Sequence, residues 1–227
     1  LKHCSMKNAR KLGELGRRII EKLQPSLEAQ LTNLADEIAY NSHDVDDGLR
    51  SGLIDVEALA DITLFSEQYE TVRSLYPDLA PRRTIHEVVR RLIGCQVIDL
   101  VETSQNNLQR ANPDSIDAVR LHDEELISFS RSMREKNLEL KRFLRTHLYR
   151  HYRVHRMSAK AARTISSLFE AYIEDTRLMP VEAQQHVSQL EAVNGRDGRA
   201  RAVADYIAGM TDRYAIAEYE RTFNPAL

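Results

Sequence analysis

EAQLTNLADEIAYNSHDVDDG, residues 28–48, is the stretch whose pattern sets the class of this chain. Leu27, Leu31, Leu34, Ile38 and Val45 recur at helical spacing, so the segment is predicted to bury one face of a helix. Pro25 fixes the entering backbone and the Ser26 hydroxyl is placed to cap free N–H groups, while Gly48 or Gly52 offers the stop. Inside this frame Asp36, Tyr40 and Asp44 stand four residues apart and climb one stripe of the helix. DEIAYNSHDVDD also places five acids in twelve residues, a density that repels itself unless it is well solvated or neutralised by a cation.

Outward from this helix the chain keeps a helical period. With only 8 Gly and 6 Pro in 227 residues, breaks are too few for many short strands, and an all-α fold is expected. Met6 to Leu23 reads as an exposed basic helix with Leu12, Leu15, Ile19, Ile20 and Leu23 facing inward. Short helices are predicted around 56–60 and 64–75. Thr84 and Glu87 then make a T-x-x-E capping-box pattern before the apolar series Val88, Val89, Leu92, Ile93, Val97, Leu100 and Val101. Asn112-Pro113-Asp114 is the clearest turn. Later helices are expected at about 131–152, 158–176, 181–193 and 199–223, the last three separated by Pro180 and by Asn194 to Gly198.

Composition removes several function classes. A net charge of −2 gives no global attraction to nucleic acid or anionic lipid, so any anion binding must be local. Cys4 and Cys95 form no CxxC pair and no disulfide framework, which fits a reducing cytoplasm. No apolar run approaches the ~20 residues of a membrane span, so no membrane partner is expected.

The local anion site is sought in KRFLRTHLYRHYRVHRMSAKAAR, residues 141–163, which holds eight Lys or Arg and three His but no Asp or Glu. Guanidinium groups grip phosphate oxygens in a bidentate manner, and Tyr149 and Tyr152 stand among the charges. An ordinary solvated basic face is the alternative. His147, His151 and His155 recur every four residues and offer a rival three-imidazole metal site, against which the surrounding cations argue. His3, His86, His122 and His186 lack partners at a recognisable ligand spacing.

LADEIAYNSHDVDDG (34–48) resembles the last metal-binding helix of the HD-domain deoxynucleoside triphosphate triphosphohydrolases, the dGTPase-like proteins. RAVADYIAGMTDRYA (201–215) is similar to their closing helix, and LKHCS (1–5) looks like a segment from their middle. The matches span almost the whole chain. The family signature needs an upstream His and a His-Asp pair, and no HD dipeptide precedes Asp36 in this sequence; His43-Asp44 and His122-Asp123 are HD by spelling only. The expectation is a multi-helix C-terminal part of an HD-domain phosphohydrolase, with residues 1–60 closing the catalytic core and 61–227 forming a helical C-terminal region.

What the resemblance implies is metal-assisted hydrolysis of a deoxynucleoside triphosphate (dGTP or another dNTP) to deoxynucleoside and tripolyphosphate. Asp36 would complete a divalent site for Mg²⁺, Mn²⁺ or a similar ion. Tyr40 would lie against the sugar where a 2′-hydroxyl would clash, and Asp44 would accept from the 3′-hydroxyl. Tyr149, Arg150 and His151 would belong to the nucleotide pocket, and Lys2 and His3 could approach the phosphates. Association of like chains and single-stranded nucleic acid as a further partner are implied in the same way. A helical nucleotide-binding or oligomerisation module without catalysis of its own stays open beside this reading, since one of four metal ligands is present.

Overall fold

The computed structural model describes residues 6–225, the side chains of Lys7 and Glu14 apart, and among these residues it is all-helical with no strand. LKHCS, with Lys2, His3 and Cys4, lies outside the described residues. Packing divides the chain into two compact units, residues 1–151 and 152–227. The expected division after residue 60 concerned the extent of a catalytic core, and this packing boundary is a separate quantity.

In the first unit α1 (Met6–Ala9) and α2 (Gly13–Ile20) replace the single helix expected over 6–23. Gly13 (φ +56°) breaks it, and Leu12, Leu15 and Ile20 are exposed rather than inward. The organising helix, α3 (Leu27–Ser51), begins where Ser26 accepts a bond from the Ala29 N–H. It stops at Gly52, whose left-handed backbone (φ +66°) is the conformation glycine adopts without strain. Gly48 is instead a contact residue, because a Cβ there would stand 2.7 Å from Ile54 Cδ1. Ile38 and Val45 are buried as expected, whereas Leu31 is 48% exposed and leaves the predicted face.

After α4 (Val56–Leu59) and α5 (Thr63–Leu75) comes α6 (Pro81–Ala111), the long axis against which α3 and α5 pack. The capping box did not form. Pro81 occupies the first turn, where its missing N–H costs nothing, so Thr84 falls inside the helix and donates to the carbonyls of Leu79 and Ala80. The helix also runs through the polar tail to Ala111 before Asn112 turns left-handed. Val45, Phe65, Val72, Val88, Leu92, Leu140 and Leu144 form the fully enclosed core of this unit, each contributing roughly 1.5–3 kcal/mol by leaving water. Beyond α7 (Ile116–Arg120), α8 (Arg131–Leu144) is pinned at its start. Ser130 caps the Met133 N–H while its own N–H and hydroxyl donate to Asp99 of α6 at 2.9 and 2.6 Å. Lys141–Glu37 (2.9 Å) and Lys136–Glu67 (2.6 Å) tie α8 to α3 and α5.

The second unit is built from α9 (Tyr152–Glu174), a 3₁₀ turn (Thr176–Leu178), α10 (Val181–Ala208) and α11 (Asp212–Phe223). Its core holds Leu168, Tyr172, Met179, Val187, Ala202, Val203 and Ile207. The separation expected at 194–198 is a kink at Gly195 (φ 57°, ψ −140°) within α10. A helix expected over 199–223 is broken at 209–211, where Thr211 accepts from the Tyr214 N–H and starts α11 anew. The stretch 201–215 is thus a helix–turn–helix rather than one closing helix.

Candidate functional site

The site begins with the stripe that α3 presents beside α8. Asp36 and Tyr40 are both exposed and line a cavity of about 820 Å³, within the roughly 300–1,000 Å³ of small-molecule sites. Tyr40, at 58% exposure, is not a core aromatic. Opposite stand Lys141, Arg142, Arg145, Tyr149 and Arg150. One wall therefore carries carboxylates and the other cations.

A local irregularity brings the far wall to the stripe. Between Leu144 and Arg150 the helix widens into a π turn (Arg145–Tyr149), stabilised by buried Leu148 and by the His147 ring stacked on Phe143 at 4.4 Å. Such turns shift the register of the side chains that follow. Here the shift sends the Tyr149 hydroxyl onto Asp44, to which it donates. Burial, and then the Asp44 carboxylate, push the Tyr149 phenol above its ordinary range. Asp44 is half-buried and already engaged, so it is not a freely solvated acid.

Four predicted residues, Asp36, Tyr40, Tyr149 and Arg150, share this cavity, and Asp44 joins it through Tyr149. His151 is not among the lining residues. Sequence reasoning passed over Asn33, Glu37 and Asn41 on α3, Lys141 and Arg142 at the end of α8, and Arg145 at the start of the π turn. Their signal was in the spacing: 33, 37 and 41 run parallel to 36, 40 and 44, and 138, 142 and 145 form one stripe that runs from α8 into the π turn. Asn41 is 5% exposed and its Nδ2 has no hydrogen-bond partner among the described residues.

The three-histidine site is not formed. His147 is taken up in the π turn by Phe143, so the regular four-residue stripe through 147 and 151 is lost. Among the described residues no group of three or more His, Cys, Asp or Glu converges where an ion could sit. The same observation tests the divalent ion implied for Asp36. The carboxylate points to the cavity and makes no ion pair among the described residues, yet it is one ligand, and Glu37 beside it is engaged by Lys141. The described residues do not complete a metal shell. His122 lies far from this arrangement in the chain and is fixed by the backbone of Glu124.

A helical scaffold with an acid-and-cation cavity now meets its relatives. The model of the phosphohydrolase-associated domain matches residues 127–221. The deoxyguanosinetriphosphate triphosphohydrolase-like protein of Thiobacillus denitrificans is 53% identical over 98% of this chain, which covers 57% of that relative. Those of Bordetella pertussis (50% identical, 56% covered) and Nitrosomonas europaea (48% identical, 57% covered) match over the same share of this chain. The chain is similar to these dGTPase-like proteins over almost its whole length and spans a little over half of theirs. Among the described residues no helix is long and apolar enough to cross a membrane.

Proposed function

We propose that the cavity between α3 and α8 is the deoxynucleoside triphosphate site of a metal-dependent triphosphohydrolase, to which this chain contributes one wall of cations and one carboxylate of the metal shell. The observation that carries the proposal is the meeting, across one cavity, of Asp36 and Tyr40 with Arg142, Arg145, Tyr149 and Arg150. Arg142 and Arg145 are exposed and make no ion pair among the described residues, so their charge is available to a triphosphate. Hydrolysis joins a water oxygen to the α-phosphorus as the bond to the 5′-oxygen breaks, the 5′-oxygen leaving with a proton and the tripolyphosphate leaving whole. The cations hold the charge that this step redistributes.

Tyr40 would stand against the sugar and exclude a 2′-hydroxyl, and Asp44, oriented by Tyr149, would accept from the 3′-hydroxyl. Asp36 would be this chain's ligand to a divalent ion such as Mg²⁺ or Mn²⁺, the remaining ligands coming from outside the described residues. A divalent ion at such a site supplies polarisation of a phosphoryl oxygen and activation of water. Association of like chains is supported by Val97, Ile98 and Val101, exposed together on α6; sedimentation of the purified protein tests it.

The deciding experiment is product analysis with dGTP and Mn²⁺, using the protein at the length of its relatives. Wild type should release deoxyguanosine and tripolyphosphate. Asp36→Ala should release neither while melting as wild type does, because an exposed mid-helix Asp is replaced by the best helix former. Wild-type turnover by that variant would remove Asp36 from the site. The single carboxylate favours a second reading, a nucleotide-binding or assembly module that does no chemistry alone. Under both readings the 227-residue chain by itself should bind nucleotide without turnover and hold no stoichiometric transition metal. Turnover at the longer length separates them.

A further inference from the structure

The α3 wall of the cavity is backed by a polar layer inside the core of the first unit. Ile38 of α3 shares one apolar cluster with Leu100 of α6, and two turns further along Val45 shares another with Leu92, Leu140 and Leu144. Between these clusters, at the intervening positions of the same helices, stand Asn41 and Ser42 of α3, Gln96 of α6 and Asn137 of α8, each at most 5% exposed. The layer is only partly paired. Asn137 donates from Nδ2 to Gln96 Oε1 at 2.8 Å, and Gln96 donates from Nε2 to the Leu92 carbonyl at 2.8 Å. Asn41 Nδ2, Ser42 Oγ and Asn137 Oδ1 have no hydrogen-bond partner among the described residues.

Buried polar groups are nearly always paired, because an unmet one has given up its bonds to water for nothing. Here a donor on α3 and an acceptor on α8 are left over in one layer, and they are complementary. Asn41 also lines the cavity, as does Leu138 beside Asn137 in the chain, whereas Asn137 itself is not among the lining residues. The helices that carry the leftover pair are thus the two walls that a bound nucleotide would touch. A triphosphate held by Arg142 and Arg145, with its sugar against Tyr40, engages both walls at once and draws them together. We propose, resting on the reading of this cavity as a deoxynucleoside triphosphate site, that binding closes α8 on α3 and brings Asn137 Oδ1 to accept from Asn41 Nδ2. Asn137 is then a positioning residue that acts through Asn41 and fixes Tyr40 against the cationic wall. A bond completed only in the bound state adds to affinity and not to the stability of the free chain.

A double-mutant cycle on dGTP binding to the full chain, measured by calorimetry, tests this. Asn41→Leu and Asn137→Leu should each lose about tenfold in affinity, the size of one buried hydrogen bond. The double variant should also lose about tenfold, because either change removes the same pair. Gln96→Met with Asn137→Leu replaces both partners of the Gln96–Asn137 bond and repeats the measurement should Asn137→Leu alone fail to fold. Wild-type affinity in a folded Asn137 variant, or losses that add to about a hundredfold in the double variant, would overturn the positioning role and leave the nucleotide site standing. Failure of the wild-type chain to bind dGTP would overturn the site itself, and the role of Asn137 with it.

Discussion

Lys141 to Arg163 is a single run of cations in the sequence, and the fold gives its two halves opposite surroundings. Up to Arg150 the cations belong to the first unit and face α3 across a cavity, where Asp36 lies opposite and Glu37 is already bound to Lys141. From Arg153 they belong to the second unit and line a groove that contains no carboxylate. The lesson is that a charge run has no chemistry until its counter-surface is known. Cations opposed by acids and aromatics define a small, oriented site for a charged molecule with a polar end. Cations that line a groove without carboxylates keep their charge for solvent and salt.

The widest separation between the halves should come from charge variants. Arg142→Gln with Arg145→Gln is expected to weaken dGTP binding, measured by calorimetry, roughly a hundredfold, allowing for solvent screening of exposed groups. Arg156→Gln with Lys160→Gln in the other half should leave dGTP affinity within about twofold of wild type. If both pairs of variants weakened dGTP binding alike, the two halves would not differ in what they bind.

A smaller effect should separate the units by stability. A Cβ at Gly198 would stand 2.0 Å from the Leu190 carbonyl oxygen, a backbone atom that cannot swing aside. Gly198→Ala should therefore destabilise the second unit by about 1–3 kcal/mol. Gly94→Ala meets nothing within 4 Å and should stabilise the first by up to about 1 kcal/mol through helix propensity. Thermal melts should show the Gly198 variant with a lowered transition and the Gly94 variant with a raised one.

Next in size, Tyr149→Phe removes the hydroxyl that donates to Asp44 and should cost about 1 kcal/mol in dGTP affinity, measured by calorimetry. The smallest effect is on the alkaline limb. The Tyr172 phenol, fully enclosed and facing Glu218, is pushed up to about 12 by burial and then by that carboxylate. The folded state keeps this proton where the unfolded chain, near pH 10, releases it, so stability is unaffected below about pH 10 and falls as pH rises toward 12. Tyr172→Phe should flatten that decline in a series of melts from pH 8 to 12.

The sequence carried much of this and missed the rest for identifiable reasons. Ser26 and Gly52 bounded α3 correctly because capping and left-handed stops are local. The Thr84 capping box failed because Pro81, three residues earlier, is a stronger start signal than T-x-x-E. Leu31 left the core because helical period alone does not say how wide the buried stripe is. Asp36 and Tyr40 were legible from one stripe, and Tyr149 and Arg150 through resemblance, but their meeting needed the π turn, which no periodic pattern encodes. Arg142 and Arg145 were hidden inside a charge run whose counter-surface lies a hundred residues away in the chain.

The central claim is that α3 holds a deoxyribose between Tyr40 and Asp44, and the most direct measurement is the ratio of dGTP to GTP turnover in the protein at the length of its relatives. Tyr40→Ala should fold normally, since the ring is 58% exposed, and should raise GTP turnover relative to dGTP. Asp44→Ala should raise KM for dGTP by a factor corresponding to about 1.5–3 kcal/mol, and a 2′,3′-dideoxy substrate should lose little. An unchanged dGTP-to-GTP ratio in a folded, active Tyr40→Ala protein, with Asp44→Ala equally silent, would contradict the account and leave α3 a carrier of Asp36 alone.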